Sequence, residues 1–388
     1  MKILAIETSC DDTGICILEV KKSGKSDIFK ILANNTNSQV KIHREYGGVF
    51  PALAKREHQK NLPILFEKTL KVAKTKIEKI ELIAVTSGPG LEPALWTGIV
   101  FAKELSEKYN IPVIPVNHME GHIFSIFPKN SKTFKINSSE KIFPMLSLLV
   151  SGGHTELILV KDWQKYKKIG QTRDDASGEA FDKVARMLGL PYPGGPEISK
   201  LANIERENSA LGRLGSATAR ARGIFQQKNI RAPQSTISSE ITLPRPMMYS
   251  KDFDFSFSGL KTAVLYLIRD LKEKNPNILE ENNTKQKIAR EFEDAIVETL
   301  VYKTIKAIKE YKIKTLIVGG GVSANTYLQE VMKKEIKSNM LKTKVHFPTK
   351  SLTGDNAIMI AIAGYFQYKN KKVKKNLDSI KAKGNLSL

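Results

Sequence analysis

Short apolar runs and polar turns alternate along the first part of the chain. Residues 2–6 and 15–20 are apolar and flank a polar turn that carries two acids, a pattern that predicts a β-hairpin. Periodic apolar positions then predict helices, and short apolar runs bounded by turn residues predict buried strands. In chain order these elements are a helix over 56–80, a strand over 82–85, a helix over 95–109 and a strand over 113–116.

The second part of the chain repeats this arrangement. A hairpin with a glycine-rich turn is predicted from the apolar runs 146–150 and 156–160. The elements that follow are helices over 178–189 and 285–311, a strand over 315–318, a helix from about Ser323 and a helix after Asp355. Because both halves open with strand–turn–strand and continue with βα units, the sequence predicts two related α/β lobes with a cleft between them.

The domain boundaries follow from these patterns. We place an N-terminal lobe at 1–128 and a C-terminal lobe at 129–368, with the last helix free to pack back on the first lobe. Residues 208–242 are basic and lack periodicity, which predicts a long loop or insertion. Residues 369–388 form a lysine-rich tail, and 369–383 are expected to be frayed or weakly helical.

Composition narrows the functional class. Apolar residues make up 41% of the 388 residues, which is enough for a sizeable core. The net charge of +22 favours a polyanionic partner, although a lysine-biased composition would also produce it. Two cysteines exclude a disulfide scaffold and a four-cysteine metal site. The first apolar run is too short for a signal peptide, and the chain has no run of 18 apolar residues. We therefore expect a cytoplasmic protein without a membrane span.

His118 and His122 carry the clearest chemical signal. On a helix their i, i+4 spacing puts both imidazoles on one face, where they could bind one metal ion. Glu120 lies about 200° around the helix from either histidine, so it is a poor general base for a peptidase. Asp355 is a candidate third ligand, although an aspartate before a helix is more often an N-cap. Two histidines and one carboxylate suit iron(II) or zinc.

Two glycine runs follow predicted strands. Ser151-Gly152-Gly153 and 319–321 would let backbone N–H groups approach phosphate or ribose oxygens, and we expect them at equivalent points of the two lobes. Neither run matches the Rossmann or P-loop pattern. Asp11 and Asp12 in the first turn, and Asp182 within a helix, are either solvated acids or groups that face a ligand.

Ten motifs, taken together and in order, resemble a known family. They are IETSCDDTG at 6–14, GGVFPALAKREH at 47–58, TSGPGL at 86–91, NHMEGH at 117–122, LVSGGHTELI at 149–158, GEAFDKVARMLGL at 178–190, YPGGP at 192–196, DFSFSGLKTA at 254–263, GGGVSAN at 319–325 and TGDNAIM at 353–359. The sequence resembles the TsaD family of tRNA adenosine threonylcarbamoyltransferases, long labelled O-sialoglycoprotein endopeptidases. The resemblance covers residues 3 to about 365, apart from the 208–242 insertion.

This resemblance implies a fold and a set of site residues. The fold would be the two-lobed actin/hexokinase/Hsp70-like (ASKHA) α/β fold with a central nucleotide cleft. His118, His122 and Asp355 would bind one divalent metal, Fe²⁺ or Zn²⁺, and Asp11 would be the acid required for transfer. The residues that would bind threonylcarbamoyl-AMP, or ATP or ADP in its place, are Leu149, Val150, Ser151, Gly152, Gly153, Asp182, Gly195 and Asn325.

The resemblance also implies a reaction and its partners. The threonylcarbamoyl group would pass from threonylcarbamoyl-AMP to N6 of adenosine 37 in tRNAs that read codons beginning with A, with release of AMP. TsaB-like and TsaE-like subunits would assist. The alternatives are a metallopeptidase, which the older label suggests, and a non-catalytic nucleotide-binding subunit.

Overall fold

The structure is a computed structural model that describes residues 1–24, 26–129, 131–137, 142–221, 241–370 and 377–388. Its strands are β1 (Lys2–Glu7), β2 (Asp12–Ser23), β3 (Ser26–Ser38), β4 (Leu82–Gly88), β5 (Val113–Asn117), β6 (Thr133–Asn137), β7 (Met145–Val150), β8 (Thr155–Asp162), β9 (Lys165–Gln171), β10 (Thr315–Gly319) and β11 (Lys344–His346). Its α-helices are α1 (Val40–His43), α2 (Pro51–Ala73), α3 (Glu92–Tyr109), α4 (His118–Phe124), α5 (Ser177–Met187), α6 (Gly194–Ala221), α7 (Ser258–Lys274), α8 (Asn282–Tyr311), α9 (Thr326–Ser338) and α10 (Ala357–Lys369).

The first lobe is built on a six-stranded sheet in the order β5-β4-β1-β2-β3-β6. The predicted hairpin is confirmed, because β1 pairs antiparallel with β2. Successive side chains of β1 face opposite sides of the sheet. Ile3 and Ala5 share a core with α10, whereas Leu4 and Ile6 share a core with α2 and α3. Both faces are covered, which explains why β1 is an uninterrupted apolar run.

The second lobe is built on a five-stranded sheet in the order β11-β10-β7-β8-β9. The second predicted hairpin is also confirmed, since β7 and β8 pair antiparallel. Apolar side chains of β7, α5, α7 and α8 form the largest core of this lobe, in which the rings of Phe181 and Phe292 meet edge to face at 5.4 Å. The predicted arrangement of two hairpin-led α/β lobes is therefore present.

The boundary between the lobes differs from the predicted one. Strand β6 follows residue 128, yet it pairs with β3 and so completes the first sheet. Helix α10 packs against the first sheet, beside Ile3 and Ala5, as the prediction allowed for the last helix. The chain therefore returns to its first lobe at its far end, a long-range contact that local periodicity does not encode.

Two predicted irregular segments are also corrected. Residues 208–221 form the end of α6 rather than a loop, and 222–240 lie outside the described residues. Of the tail, 371–376 lie outside the described residues, whereas 377–388, here called the C-terminal segment, are packed rather than frayed. Ile380 is only 1% exposed, the Lys383 N–H donates to the Ser87 carbonyl at 2.8 Å, and the Gly90 N–H donates to the Gly384 carbonyl at 3.0 Å. Within the described ranges, no helix has both the length and the apolar character needed to cross a membrane.

Candidate active site

Helix α4 sets the two histidines at the junction between the lobes. It begins directly after β5, and the Asn117 side chain caps it by accepting hydrogen bonds from the N–H groups of Met119 (2.8 Å) and Glu120 (3.3 Å). The rings of His118 and His122 lie on one face with their centroids 4.6 Å apart, as their spacing predicts. From the second lobe, the end of β10 reaches the backbone of His122 at Gly319.

Asp355 approaches both histidines from the other end of the sequence. Its Oδ1 lies 3.3 Å from His118 Nε2 and 3.5 Å from His122 Nε2. The N-cap of α10 is Asn356, whose side chain accepts from the Met359 N–H at 3.1 Å, so the alternative role of Asp355 as a cap is wrong. Asp355 is therefore held at the helix start and directed at the two imidazoles.

The donor set fits a metal ion. One ligand atom from each of the three residues lies within 4.8 Å of the others. His122 is 1% exposed, yet neither of its ring nitrogens forms a hydrogen bond with any residue that the structure describes. Buried polar atoms rarely lack partners, so this imidazole is suited to a cation. Two histidines and a carboxylate are the ligands expected for iron or zinc.

Electrostatics prepares the carboxylate for binding. Burial alone would raise the pKa of Asp355, but His118 and His122 hold it well below its usual value. Burial likewise acts to lower the pKa of His118, but Asp355 and Glu7 together raise it well above its usual value. Burial lowers the pKa of His122, and the charge of His118 lowers it further. Asp355 is thus ionised at neutral pH, the state in which a carboxylate binds a metal.

Glu7 is a site residue to which the sequence analysis gave no role. It is fully buried at the end of β1, and its Oε2 lies 3.2 Å from His118 Nδ1. The Thr86 hydroxyl donates to the same oxygen at 2.5 Å, and the Ser9 N–H donates to Oε1 at 2.6 Å. The available signal was an acid that ends an otherwise apolar, fully buried strand.

The acids of the first turn face the same site. Asp11 Oδ2 and Asp12 Oδ1 are buried, and neither has a hydrogen-bond partner among the described residues. Burial and the negative charge of Asp355 raise the pKa of Asp12 to about 7, and the same two causes raise the pKa of Asp11. Both carboxyl groups therefore belong to one electrostatic cluster with Asp355 of the candidate metal site.

The two glycine-rich turns lie side by side in the second lobe, so the expectation of one turn in each lobe is wrong. Strands β7 and β10 are parallel neighbours, and Leu149 is paired with Gly319. Gly320 has φ +89°, and a Cβ there would lie 2.3 Å from the Val150 carbonyl oxygen, so only glycine fits. Around Gly152 and Gly153 the space is open, which leaves their backbone accessible to a ligand.

The remaining predicted binding residues differ in the hydrogen bonds that they already form. Asp182 Oδ1 accepts from the Gly194 N–H at 2.6 Å and so caps the start of α6. A Cβ at Gly195, the next residue, would meet only the Phe181 side chain, at 4.0 Å. Asn325 is already engaged, because its amide nitrogen donates to Glu293 at 2.7 Å and its oxygen caps α9 at the Leu328 N–H. Leu149 and Val150 are fully buried and can offer only backbone groups.

Glu120 points away from the histidines. Its carboxylate accepts hydrogen bonds from the Tyr166 hydroxyl and the Gln367 amide, both at 2.7 Å. This agrees with the offset predicted from helical geometry. A peptidase base at this position is therefore not supported.

Comparison with known proteins identifies the family. The sequence model of TsaD, tRNA N6-adenosine threonylcarbamoyltransferase, matches residues 30–362. The proteins of that name from Thermosipho africanus (strain TCF52B) and Dictyoglomus turgidum (strain DSM 6724 / Z-1310) are each 43% identical to this chain. The alignments cover 95% of this chain in both cases, and 95% and 94% of the respective relatives.

A solved structure supports the fold. The crystal structure of full-length HypF in its phosphate- and nucleotide-bound form superposes with a TM-score of 0.52 at 13% identity, over 95% of this chain and 46% of HypF. At that identity the likeness concerns the fold alone, and it agrees with the predicted actin/hexokinase/Hsp70-like architecture. On the evidence of its sequence relatives, the chain belongs to the TsaD family of tRNA N6-adenosine threonylcarbamoyltransferases.

Proposed function

We propose that this protein transfers the L-threonylcarbamoyl group from threonylcarbamoyl-AMP to N6 of adenosine 37 in tRNAs that read codons beginning with A. The N6 amine attacks the carbamoyl carbon, the bond from that carbon to the phosphate oxygen breaks, and AMP leaves. The observation that carries the proposal is the convergence of His118, His122 and Asp355 beside Asp11 and Asp12 at the lobe junction of a TsaD-family chain.

The three converging side chains would hold one divalent cation, for which Fe²⁺ and Zn²⁺ are the candidates. When bound, such an ion supplies Lewis-acid polarisation and orientation of the oxygen atoms of the adenylate. Asp355 contributes a carboxylate that is ionised without help from the metal, because the two histidines keep its pKa low. Glu7 fixes the orientation of the His118 ring through Nδ1.

The second lobe would hold the adenylate. Within residues 149–153, Gly152 and Gly153 offer backbone N–H groups in an open turn, whereas the Ser151 N–H already donates to the His154 carbonyl at 2.8 Å. The neighbouring glycine turn after β10 extends the same edge of the sheet. Asp182 and Gly195 border this edge, and Asn325 would act by holding the α9 start in place. ATP or ADP would occupy the same cleft, because each shares the adenosine and phosphate groups of the adenylate.

The acid pair would receive the proton that N6 loses. Asp11 and Asp12 each present one buried carboxyl oxygen without a partner among the described residues. A carboxylate whose pKa is near neutrality is well matched to proton transfer at physiological pH. Burial is the largest cause of the raised pKa of Asp12 and does not depend on the charge of Asp355, so we propose that the pair, rather than Asp11 alone, accepts the proton.

The macromolecular partners follow from the reaction and the family. The acceptor tRNA is a polyanion, which accounts for the net charge of +22. We propose that TsaB-like and TsaE-like subunits are needed for repeated turnover, and that the protein works in the cytoplasm, where tRNA is modified.

The test is reconstitution with purified components. The protein, threonylcarbamoyl-AMP, a tRNA transcript and the two partner subunits are mixed, and modified adenosine is measured by nucleoside mass spectrometry together with bound metal. We expect product from the wild type, and loss of both product and metal in His118→Ala, His122→Ala and Asp355→Ala. Glu120→Gln is the matched control, because it alters a buried acid of the same helix that faces away from the ligands.

Each outcome has a definite meaning. Normal product and full metal occupancy in one of the three alanine variants would remove that residue from the site. Absence of product from the wild type with all partners present would overturn the proposed function. Metal-dependent cleavage of a glycoprotein, lost in His122→Ala, would instead favour the peptidase alternative.

A further inference from the structure

Two aromatic side chains are exposed together on the loop that enters α2. Tyr46 is 60% exposed and Phe50 is 52% exposed. Their ring centroids are 5.8 Å apart and the rings are nearly parallel, at 24°. Exposed aromatic rings offer flat faces on which a nucleic-acid base can stack. Here they flank Gly47, Gly48 and Val49.

Hydrogen bonds tie this loop to the mouth of the cleft. At its start, the Gln39 N–H donates to the Asp11 carbonyl at 2.9 Å. Farther along, Arg44 Nε donates to the Tyr192 carbonyl at 3.0 Å, across the gap to the second lobe. Burial, Asp11 and Asp182 all raise the pKa of the Tyr192 phenol, which places that side chain beside the cleft acids.

A second arginine makes the reciprocal contact from the other lobe. The Arg186 guanidinium donates to the Gly47 carbonyl, between the two aromatic residues. Arg186 lies four residues after Asp182 on α5, so the two share one helix face. The aromatic pair therefore stands at the cleft rim, about one helical turn beyond a residue of the predicted adenylate site.

The charges of the rim and of the cleft interior are opposite. The interior carries the carboxyl groups of Asp11, Asp12 and Asp182, and a carboxylate there can accept a hydrogen bond from an exocyclic amine. The rim carries exposed cations from both lobes. These are Lys41, Arg44, Lys55, Arg56 and Arg186, and they outnumber Glu45, the exposed acid of the same loop.

We propose that Tyr46 and Phe50 form a stacking platform for unpaired bases of the tRNA anticodon loop, with the rim cations binding the flanking phosphates. This inference rests on the proposed function and assigns it an RNA-binding surface. Proteins recognise single-stranded RNA loops by stacking splayed bases on aromatic rings and arginine planes. The platform and its cations would leave the target adenine directed inward, with its N6 amine toward the acid pair.

The test separates ring stacking from apolar contact. The double variant Tyr46→Leu/Phe50→Leu keeps apolar side chains at both positions but removes both aromatic rings. We expect its KM for tRNA in the reconstituted reaction to rise about tenfold or more, the factor that corresponds to loss of one base–aromatic stack. The Kd for threonylcarbamoyl-AMP should stay unchanged. Tyr46→Phe/Phe50→Trp should restore the wild-type KM, because rings are present again.

The chain offers a matched control pair on the second lobe. Tyr249 and Tyr302 are 77% and 40% exposed, and their rings meet at 5.1 Å. The double variant Tyr249→Leu/Tyr302→Leu should leave the KM for tRNA unchanged.

The salt dependence of tRNA binding adds a further readout. Loss of the rings should weaken tRNA binding equally at every salt concentration, whereas Lys55→Ala/Arg56→Ala should flatten the salt slope.

Several results would overturn the platform while leaving the proposed function intact. One is a wild-type KM in the double leucine variant. Another is an equal rise in the control pair. A third is loss of binding to a partner subunit with tRNA affinity unchanged, which would make this surface a protein interface. If the wild type forms no modified adenosine, the proposed function fails first, and direct binding of an anticodon stem-loop still decides the platform.

Discussion

At the scale of single residues, Glu7 links the core of the first lobe to the metal ligands. Because its carboxylate accepts from Thr86 and Ser9 and also faces His118 Nδ1, it determines which ring nitrogen of His118 is free to bind a cation. An amide in its place could present a donor to that nitrogen and favour the wrong tautomer. Glu7 is therefore a positioning residue, one step removed from the chemistry.

The variant Glu7→Gln tests this role directly. We expect its affinity for Zn²⁺ or Fe²⁺ to fall about 10- to 100-fold, the usual effect of removing an outer partner of a metal-binding histidine. The measurement is competition against a chromophoric chelator, so activity is not needed as a readout. Glu120→Gln should keep wild-type affinity. Equal affinities in Glu7→Gln and wild type would show that His118 is oriented by packing alone.

Asp12 predicts a particular pH dependence of stability. Its pKa is about 7 in the folded protein, against an ordinary value of 3.8. Between these values the folded state binds a proton that the unfolded chain has released, so raising the pH destabilises the fold. The free energy of unfolding of the metal-free protein should therefore fall, relative to Asp12→Asn, as the pH rises from about 4 to about 7, and the difference should be constant above that range.

Urea unfolding of both proteins across this pH range provides the measurement. Parallel pH profiles would show that Asp12 is ionised normally in the folded state. A bound divalent cation should shift the wild-type transition to lower pH, because it offsets the charge of Asp355 that helps raise the pKa of Asp12.

At the scale of elements, the turn after β10 depends on one glycine for its contact with β7. Gly320 combines a positive φ with close approach to Val150, whereas Gly321 has open space around it and no positive φ. Gly320→Ala should lower the free energy of unfolding by more than ~1 kcal/mol and weaken adenylate binding, because the two turns must separate. Gly321→Ala should leave the free energy of unfolding and the adenylate affinity close to the wild-type values. Thermal unfolding and titration with the adenylate compare the two variants. Equal stability and equal adenylate affinity would contradict the contact between Gly320 and Val150.

Local elements were predicted correctly from the sequence where burial produces a regular pattern of apolar residues. The two hairpins and the HMEGH helix followed from apolar runs and from i, i+4 spacing, and all three are present. Strands β3 and β9 were missed because they carry many polar and charged residues. Helix α6 was missed entirely, and its C-terminal part was assigned to a loop, because its glycines, serines and alanines do not form a clear apolar stripe.

At the scale of the whole molecule, contacts between distant parts of the chain account for what sequence patterns could not predict. Glu7, His118 and Asp355 are separated by 111 and 237 residues, as their numbering shows, and no local rule joins an acid at a strand end to a histidine elsewhere. Helical spacing and the resemblance to a family together supplied the candidate metal ligands, but neither indicated Glu7 or the aromatic rim. The burial of the C-terminal segment likewise depends on loops near residue 90.

The packing of α10 has a consequence for how the protein is made. Ten of the thirteen residues of this helix are buried, and it packs on a sheet whose strands are complete by Asn137. During translation at 5–20 residues per second, that sheet would wait roughly 10–50 s with one apolar face uncovered. The nascent first lobe should therefore be a client of ribosome-associated chaperones.

A fragment of residues 1–137 should stay unfolded, and fusing 353–370 to it through a flexible linker should restore protection of the β1 amides from hydrogen exchange. The same fusion with Gly364→Val should fail, because that position touches Ala84; equal protection in the unfused fragment would refute the idea.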